Sequence, residues 1–316
     1  MQQLEAHSLA GWKELISSAF VPLDALPVDN RPFSGTINAS TFQDIGFMHI
    51  QAHAQTVIRT DELIAAQDGA FYKLSLQLSG TGVLRQDGRE ARLEPGSLAI
   101  YDTQRPYTLQ YLNDFSCLVL IFPQQLLNLS PEDVRAMTAT AMDESNQLAG
   151  SIIPFIRQIN DQLSTLPAAV GHRLALNVVD LLATLMAERI YSSPDAAADT
   201  HSTVVLRVQH YIEAHLADSG LSTQSIAEAH YMGVRTLQKL FASTGYTVAG
   251  WIRERRLEHS RRDLADPLYA QVPVGAIGAR WGYPDAAHFS RVFKAAYRCT
   301  PSQYRAASRP GAQAAS

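Results

Sequence analysis

Strand-type alternation of apolar and polar positions dominates residues 35–125. In FYKLSLQLS (71–79) four apolar residues alternate with polar ones and are predicted to share one strand face: Tyr72, Leu74, Leu76 and Leu78. Asp87-Gly88 predicts a hairpin and Pro95-Gly96 a further turn. Several short strands separated by turns every 8–12 residues are typical of an antiparallel sandwich or barrel.

From residue 131 the apolar spacing becomes helical. Ser130 is a candidate N-cap, with Pro131 at the first helical position. Residues 170–191 carry a long apolar stripe, which either packs on the β domain or pairs with its twin in a homodimer; the dimer contact is favoured. The small, polar segment 192–203 is interpreted as a linker between domains 1–191 and 204–316.

Composition and charge narrow the class of protein. The chain of 316 residues contains no apolar run long enough to predict a membrane span, and its first residues do not resemble a signal peptide. With two distant cysteines, Cys117 and Cys299, a reduced cytoplasmic protein is expected. Residues 1–200 hold 12 Lys and Arg against 22 Asp and Glu, a net charge of −10, whereas residues 201–316 hold 14 against 8, a net of +6. A basic C-terminal part in an acidic chain points to a polyanion such as nucleic acid.

Two segments of the basic part share one plan, a short helix, a tight turn and a second helix. The first segment is 222–245, with a turn around Tyr231–Gly233, and the second is 272–301, with a turn at Gly282-Tyr283. Small residues in each first helix, such as Ala227 and Gly278, let the two helices cross closely. The pattern predicts tandem helix-turn-helix units.

The second of these units carries a specific resemblance. IGARWGYPDAAHFSRVFKAAYRCTPSQYR resembles the signature of the AraC/XylS family of bacterial transcription regulators. Tyr283 stands where Phe is common, and Arg298-Cys299 precedes Thr-Pro where a Gly is usual. In the first unit, Gly233 and Val234 stand where Ser and Pro usually begin the recognition helix, and Gly233 remains an acceptable N-cap.

The β-rich part, above all GREARLEPGSLAIYDTQRPYTL, more loosely resembles the cupin-like effector domain of many such regulators. The two resemblances together imply an α+β chain, in which a cupin-like antiparallel barrel with flanking helices precedes an all-α domain with two helix-turn-helix units. They imply a homodimeric, effector-responsive activator of a catabolic operon that binds promoter DNA, works with RNA polymerase, and needs no cofactor.

The resemblance also assigns residues. The positions expected to face DNA are Arg235, Thr236, Gln238 and Lys239 in the first unit and Ala286, Ala287, Ser290 and Arg291 in the second. Arg and Lys suit guanine, and Gln suits adenine. The long helix predicted over 251–265 would add phosphate contacts from its arginines: Arg253, Arg255, Arg256, Arg261 and Arg262. Some of these arginines are expected to pair with Glu254, Glu258 or Asp263 instead of phosphate. The resemblance implies a small, aromatic effector, and the residues expected to contact it are Arg59, Tyr72, Tyr101, Arg105 and Tyr107.

Two alternatives stay open at the level of sequence. A metal-dependent cupin enzyme would use His49, His53, Glu62, Glu90 or Glu94, but HIQAH lacks the usual His-x-His pair, and neither a metal nor an enzyme is expected. A regulator with a vestigial barrel, controlled by a protein partner, is the other alternative. We find no Gly-rich phosphate loop and no nucleophile elbow.

Overall fold

The computed structural model describes residues 2–66, 69–127, 129, 131–163, 165–192, 200–242 and 244–308. The chain divides into two compact units, residues 1–190 and 191–316. Most of the segment interpreted as a linker, 193–199, lies outside the described residues, and residues 200–203 already belong to a helix.

Unit 1 is built on two antiparallel sheets. Its strands are β1 Gln2–Ala6, β2 Asp24–Pro27, β3 Gly35–Phe42, β4 Ile45–Ala52, β5 Gln55–Arg59, β6 Phe71–Ser79, β7 Gly82–Gln86, β8 Arg89–Leu93, β9 Leu98–Asp102, β10 Tyr107–Tyr111 and β11 Phe115–Pro123. One sheet has the order β1-β3-β4-β11-β6-β9 and the other β2-β5-β10-β7-β8. The α+β class with an antiparallel β domain is thereby confirmed.

The β7–β8 connection shows how local sequence fixes the register. Asp87 and Gly88 have φ of +56° and +75°, the left-handed pair that a two-residue hairpin with the twist of its strands requires. Gln86 therefore pairs with Arg89, as the Asp-Gly dipeptide predicts.

The first elements of the unit precede the predicted β region. Strand β1, helix α1 (Leu9–Ala19) and β2 all lie before residue 35, and the short helix α2 (Asp61–Ala65) interrupts the strands. Ser8 caps α1 by accepting from the Gly11 amide. Trp12 packs against Gly35, where a Cβ would lie 2.7 Å from the indole ring, so the start of β3 must be glycine for α1 to close over the sheet.

The face of β6 that carries Tyr72, an expected effector contact, points away from the space between the sheets. Lys73 and Ser75 point into the space between the sheets, where Ser75 Oγ bonds Tyr101 Oη at 2.9 Å. Tyr72 lies on the opposite face and packs against Phe122. Both faces are buried, so alternation alone identified the two sets of residues but not which set lines the interior.

Three helices complete unit 1: α3 Pro131–Met137, α4 Ala149–Leu163 and α5 Ala168–Ser192. Pro131 opens α3 as predicted, while Ser130 lies outside the described residues. In α5, Val178 and Leu182 are buried and Leu174 is half-buried. By length and composition Val170–Ile190 is also the single helix in the described residues that could cross a membrane, a property shared by core helices.

Unit 2 is helical throughout its described residues. Its helices are α6 Thr200–Ala214, α7 Thr223–Ala229, α8 Val234–Ala242, α9 Val248–Ala265, α10 Val274–Arg280, α11 Ala286–Tyr297 and α12 Pro301–Ala307, with a 3₁₀ turn at Pro267–Tyr269. Two apolar clusters form its core, one around Leu237 and Phe241 and one around Phe289 and Phe293. Trp281 packs against both clusters.

Candidate DNA-binding surface and effector cavity

Helices α7 and α8 form the first helix-turn-helix. Ser222 caps α7 in a reciprocal capping box with Ser225. Tyr231, with φ +53°, makes the turn, and the Leu237 amide donates to the Gly233 carbonyl at 3.0 Å, so α8 begins directly after Gly233. Ala227, the small residue predicted to let the helices cross, is 1% exposed.

Helices α10 and α11 repeat this plan. Asp285 caps α11 by accepting from the His288 amide at 2.7 Å. Gly278 lies against Phe289, where a Cβ would approach the ring to 2.7 Å, so the close crossing depends on glycine at this position. Gly282, with φ +78°, makes the turn.

Both second helices expose one face and bury the other. In α8, Leu237 and Phe241 are buried, whereas the predicted base-reading residues are exposed: Arg235, Thr236, Gln238 and Lys239. In α11, Phe289 and Phe293 are buried, Ser290 is half-buried, and three predicted residues are exposed: Ala286, Ala287 and Arg291. Within the described residues the side chains of Arg235, Gln238, Lys239 and Arg291 have no hydrogen bond or ion pair, so their donors are free to meet a ligand.

Unlike these exposed side chains, four of the five arginines of α9 have partners inside unit 2. Arg255 bonds Glu213 at 3.1 Å, and Arg261 and Arg262 both bond Glu258, at 2.9 and 3.2 Å. Arg256, 9% exposed, donates to the backbone carbonyls of Leu216 and Asp218. The expected phosphate role of these four is therefore not supported, because their guanidinium groups are used inside the unit. Arg253 is the exposed member of the set.

A row of side chains across α9 links α6 to the second helix-turn-helix unit, and sequence reasoning missed it. Glu213 on α6 accepts from His259 and Arg255. The His259 ring stacks on Trp281 at 4.3 Å between centroids, and the Trp281 indole donates to Asp263 at 2.8 Å. Burial alone would raise the pKa of Glu213, but the His259 hydrogen bond and the Arg255 charge lower it to about 2. The His, Trp and Glu residues that carry this link come from separate segments, so no local spacing reveals them.

One departure from the family pattern has a structural consequence. Arg298 ends α11 with φ +61°, the left-handed conformation for which glycine is favoured. The family's usual glycine is thus replaced by a residue that bears strain. The other departure, Tyr283, is buried and T-stacks with His288 at 5.9 Å.

A cavity of about 30 Å³ lies inside unit 1, between α1 and the two sheets. Tyr101 and Tyr107, both predicted effector contacts, line it and pack edge to face at 4.8 Å. Lys73 lines the same cavity and is 4% exposed. Sequence reasoning overlooked Lys73. A lysine within the alternating pattern of a central strand could have indicated a buried charge.

The other three predicted effector residues do not line this cavity. Arg59 is 1% exposed and donates to the carbonyls of Pro22, Leu63 and Thr103. Arg105 pairs with Asp87 at 2.6 Å, and Tyr72 faces the other side of the sheet. Their surroundings give Arg59 and Arg105 structural partners, so the geometry does not support them as the groups that hold an effector.

The residues considered for a metal site have separate partners and do not form one cluster. His49 Nε2 lies 2.8 Å from Ser116 Oγ, and the His53 ring packs against Phe33. Glu90 pairs with Arg85 and Glu94 with Arg92. Within the described residues no group of three or more His, Cys, Asp or Glu side chains is placed to hold a metal ion.

Comparison with known proteins decides the family. Residues 12–187 match an AraC-binding-like domain, and residues 226–307 match a helix-turn-helix domain. The chain is 30% identical over 298 residues to the transcriptional activator NphR of Rhodococcus sp., which covers 93% of this chain and 88% of that protein. The chain belongs to the AraC family of transcription regulators.

Other comparisons agree with this family. The arabinose operon regulatory protein of Escherichia coli K12 is 24% identical over 246 residues, 74% of this chain and 80% of that protein. The crystal structure of the AraC-like transcriptional activator CuxR shares the fold, with a TM-score of 0.53 at 18% identity over 90% of this chain and all of that one. The regulator therefore binds DNA and has a small-molecule effector domain, as the sequence predicted. Its relatives are not enzymes, and the enzyme alternative finds no support.

Proposed function

We propose that this regulator is a sequence-specific transcription activator that reads two successive major grooves. Helix α8 would present Arg235, Gln238 and Lys239 to one groove, and helix α11 would present Arg291 to the next. The observation that carries the proposal is the contrast within unit 2. Four polar side chains on the two second helices are exposed without partners, whereas four arginines of the connecting helix are engaged internally.

The internal connections support a fixed spacing between the two reading helices. Arg256 and the Glu213–His259–Trp281 row join α6 and the segment after it through α9 to the second helix-turn-helix, which supports one fixed arrangement of the two recognition helices. Such an arrangement fits two short DNA boxes about one helical turn apart, roughly 34 Å centre to centre. The methyl groups of Ala286 and Ala287 suit apolar contact with thymine.

The remaining parts of the proposal concern regulation. The effector binds in the barrel of unit 1, a homodimer forms through the exposed side of α5, and the protein activates a catabolic operon in the cytoplasm by recruiting RNA polymerase. The exposed Val170 and the half-buried Leu174 and Leu181 support the choice of α5. The names of two relatives, an arabinose operon regulatory protein and a XylDLEGF operon transcriptional activator of Pseudomonas putida, support the link to an operon.

A selection from random double-stranded DNA tests the proposal. The full-length protein is bound to the library at about 0.15 M salt, where nonspecific phosphate contacts are weakened, and the retained DNA is sequenced. The expected result is a motif of two short boxes separated by about one helical turn. Retained DNA without any motif, bound in a salt-sensitive manner, would contradict sequence-specific reading.

A further inference from the structure

Lys73 places a cation in the closed interior of unit 1. Its Nζ lies 4.0 Å from the centroid of the Phe20 ring, 5.4 Å from that of Tyr101 and 5.9 Å from that of Tyr107. Aromatic faces attract a cation, but they replace only part of its hydration. The three rings and Lys73 line the same cavity.

No described residue forms a hydrogen bond or an ion pair with Lys73 Nζ. Desolvation therefore lowers the pKa of Lys73 to about 7; the charge of Cys117 opposes this shift and that of Arg59 lowers the pKa further. A buried cation without a counter-ion weakens the fold, and such groups concentrate at functional sites.

Two further donors in this cavity also have no partner. Gln55 Oε1 accepts from the Trp12 indole at 2.7 Å, which fixes the amide orientation and leaves its Nε2 buried without an acceptor. The Tyr107 hydroxyl is likewise buried and unpaired, whereas the hydroxyl of its neighbour Tyr101 is bonded to Ser75 Oγ. An unpaired buried donor destabilises the fold, and two such groups beside the Lys73 side chain need a common explanation.

We propose that the cavity binds a small aromatic carboxylate, whose two oxygens accept from Lys73 Nζ, Gln55 Nε2 and the Tyr107 hydroxyl. The inference rests on the proposed effector-responsive function and names the chemical class of the effector. A carboxylate offers acceptors and no donor, which is the complement of this set. The rings that surround Lys73 provide the apolar contact for the aromatic part.

The size of the cavity identifies the wall that must move. About 30 Å³ holds roughly one water molecule, whereas a cavity that binds benzene has about 150 Å³. Phe20 is half-buried and caps the C-terminal end of α1, where its φ of −126° and ψ of −97° have left the helical region. Its ring covers Lys73, so rotation of Phe20 away from the cavity supplies both the volume and access to the cation.

Binding to the full-length protein tests this assignment. Isothermal titration, supported by fluorescence, compares benzoate, its methyl- and hydroxy-substituted forms and phenylacetate with the corresponding neutral amides. At least one carboxylate is expected to bind, and its amide about 10-fold or more weaker, since a hydrogen bond to a charged group is lost. If no carboxylate in the panel binds, or if the amides bind equally well, the proposal is wrong.

Variants connect the binding to the named residues. Lys73→Met should weaken carboxylate binding about 10- to 100-fold, and Tyr107→Phe about 5-fold, which covers the case in which one variant folds poorly. Phe20→Ala should bind at least as tightly as the unmodified protein, because no ring has to be displaced. Lys294→Met, which removes an exposed lysine of unit 2, is the matched control and should leave binding unchanged. Unchanged affinity in both Lys73→Met and Tyr107→Phe would overturn the site.

Binding of the same samples to the selected operator is also measured, so that failure of the effector proposal can be distinguished from failure of the DNA-reading proposal. Operator binding with no response to any carboxylate contradicts the effector class alone. Carboxylate binding by a protein that selects no DNA motif contradicts the proposed DNA-reading function alone.

Discussion

The Arg256 guanidinium lies against Gly282, in the position that any other side chain at residue 282 would need. A Cβ on Gly282 would lie 2.5 Å from Arg256 Cζ. Arg256 also donates to the carbonyls of Leu216, at 3.0 Å, and Asp218. One side chain of α9 thus joins the turn of the second helix-turn-helix to the segment between α6 and α7.

Gly282→Ala tests this contact. Alanine at φ +78° costs about 1–2 kcal/mol for the left-handed backbone, and its methyl group must also displace the guanidinium. Denaturant unfolding should show a loss of about 2–4 kcal/mol. Gly233→Ala in the other turn is the matched control, because its Cβ would meet only Thr236 Oγ1 at 3.7 Å and no positive φ applies. Equal stability of the two variants would contradict the account.

Arg256→Met and Arg253→Met separate a structural arginine from a DNA-contacting one on the same helix. Arg256→Met leaves the buried Leu216 carbonyl and the partly buried Asp218 carbonyl without their charged donor and should cost about 2–4 kcal/mol of unfolding free energy. Arg253 is exposed, so its replacement should leave stability unchanged but reduce the slope of log K against log salt by about one. Titration at several salt concentrations gives the slope. An Arg256→Met protein of normal stability with a reduced slope would restore the phosphate role.

Glu258 makes the stability of unit 2 sensitive to acid. Burial alone would raise the pKa of Glu258, but the Arg261 charge and hydrogen bond, together with Arg262 and Arg255, lower it to about 2. Because the folded pKa lies below the unfolded value of 4.5, this carboxylate stabilises the fold above pH 4.5, and its contribution is lost as the pH falls from 4.5 to 2. The contribution is roughly 3 kcal/mol.

Unfolding between pH 6 and pH 3 measures this contribution. Glu258→Gln should be less stable than the unmodified protein at pH 6 and should lose less stability on acidification. Glu228→Gln, at an exposed position of α7, serves as the control. If the unfolding free energies of Glu258→Gln and of the unmodified protein fell in parallel with pH, the assigned ion pairs would not contribute to stability.

Lys73→Met should stabilise the protein when no ligand is added. The folded pKa of Lys73, about 7, lies below its unfolded value of 10.5, so the penalty for the buried cation is complete below pH 7 and disappears as the pH rises toward 10.5. The gain from methionine is on the order of 4 kcal/mol near pH 6 and shrinks toward pH 9. The groups around Lys73 that titrate or carry charge are Tyr101, Tyr107, Cys117 and Arg59. A Lys73→Met protein less stable at pH 6 would show that the cation is compensated.

The sequence predicted the DNA-binding unit well because helix-turn-helix information is local. Leu237, Phe241, Phe289 and Phe293 recur at helical spacing, and all four are buried. The α9 arginines could not be assigned in this way. The Leu216 carbonyl that engages Arg256 comes 40 residues earlier in the chain, and sequence spacing carries no information about such a partner.

The barrel was predictable as a fold but not as a site. Alternation separated Tyr72 and Leu74 from Lys73 and Ser75, but both sets are buried, so the pattern did not say which set lines the interior. An aromatic lining and a cationic group were expected. The structure retains Tyr101 and Tyr107 in the cavity and places Lys73 there, while Arg59 and Arg105 are engaged elsewhere.

A paired DNA selection with Arg235→Ala and Arg291→Ala tests the central claim most directly. Each variant and the unmodified protein are selected against the same random library under the same conditions. If α8 and α11 read separate grooves, Arg235→Ala should relax base preference in one box and Arg291→Ala in the other, each at a cost of about 1–3 kcal/mol for the preferred base. Recovery of the unmodified two-box motif by both variants would contradict the account.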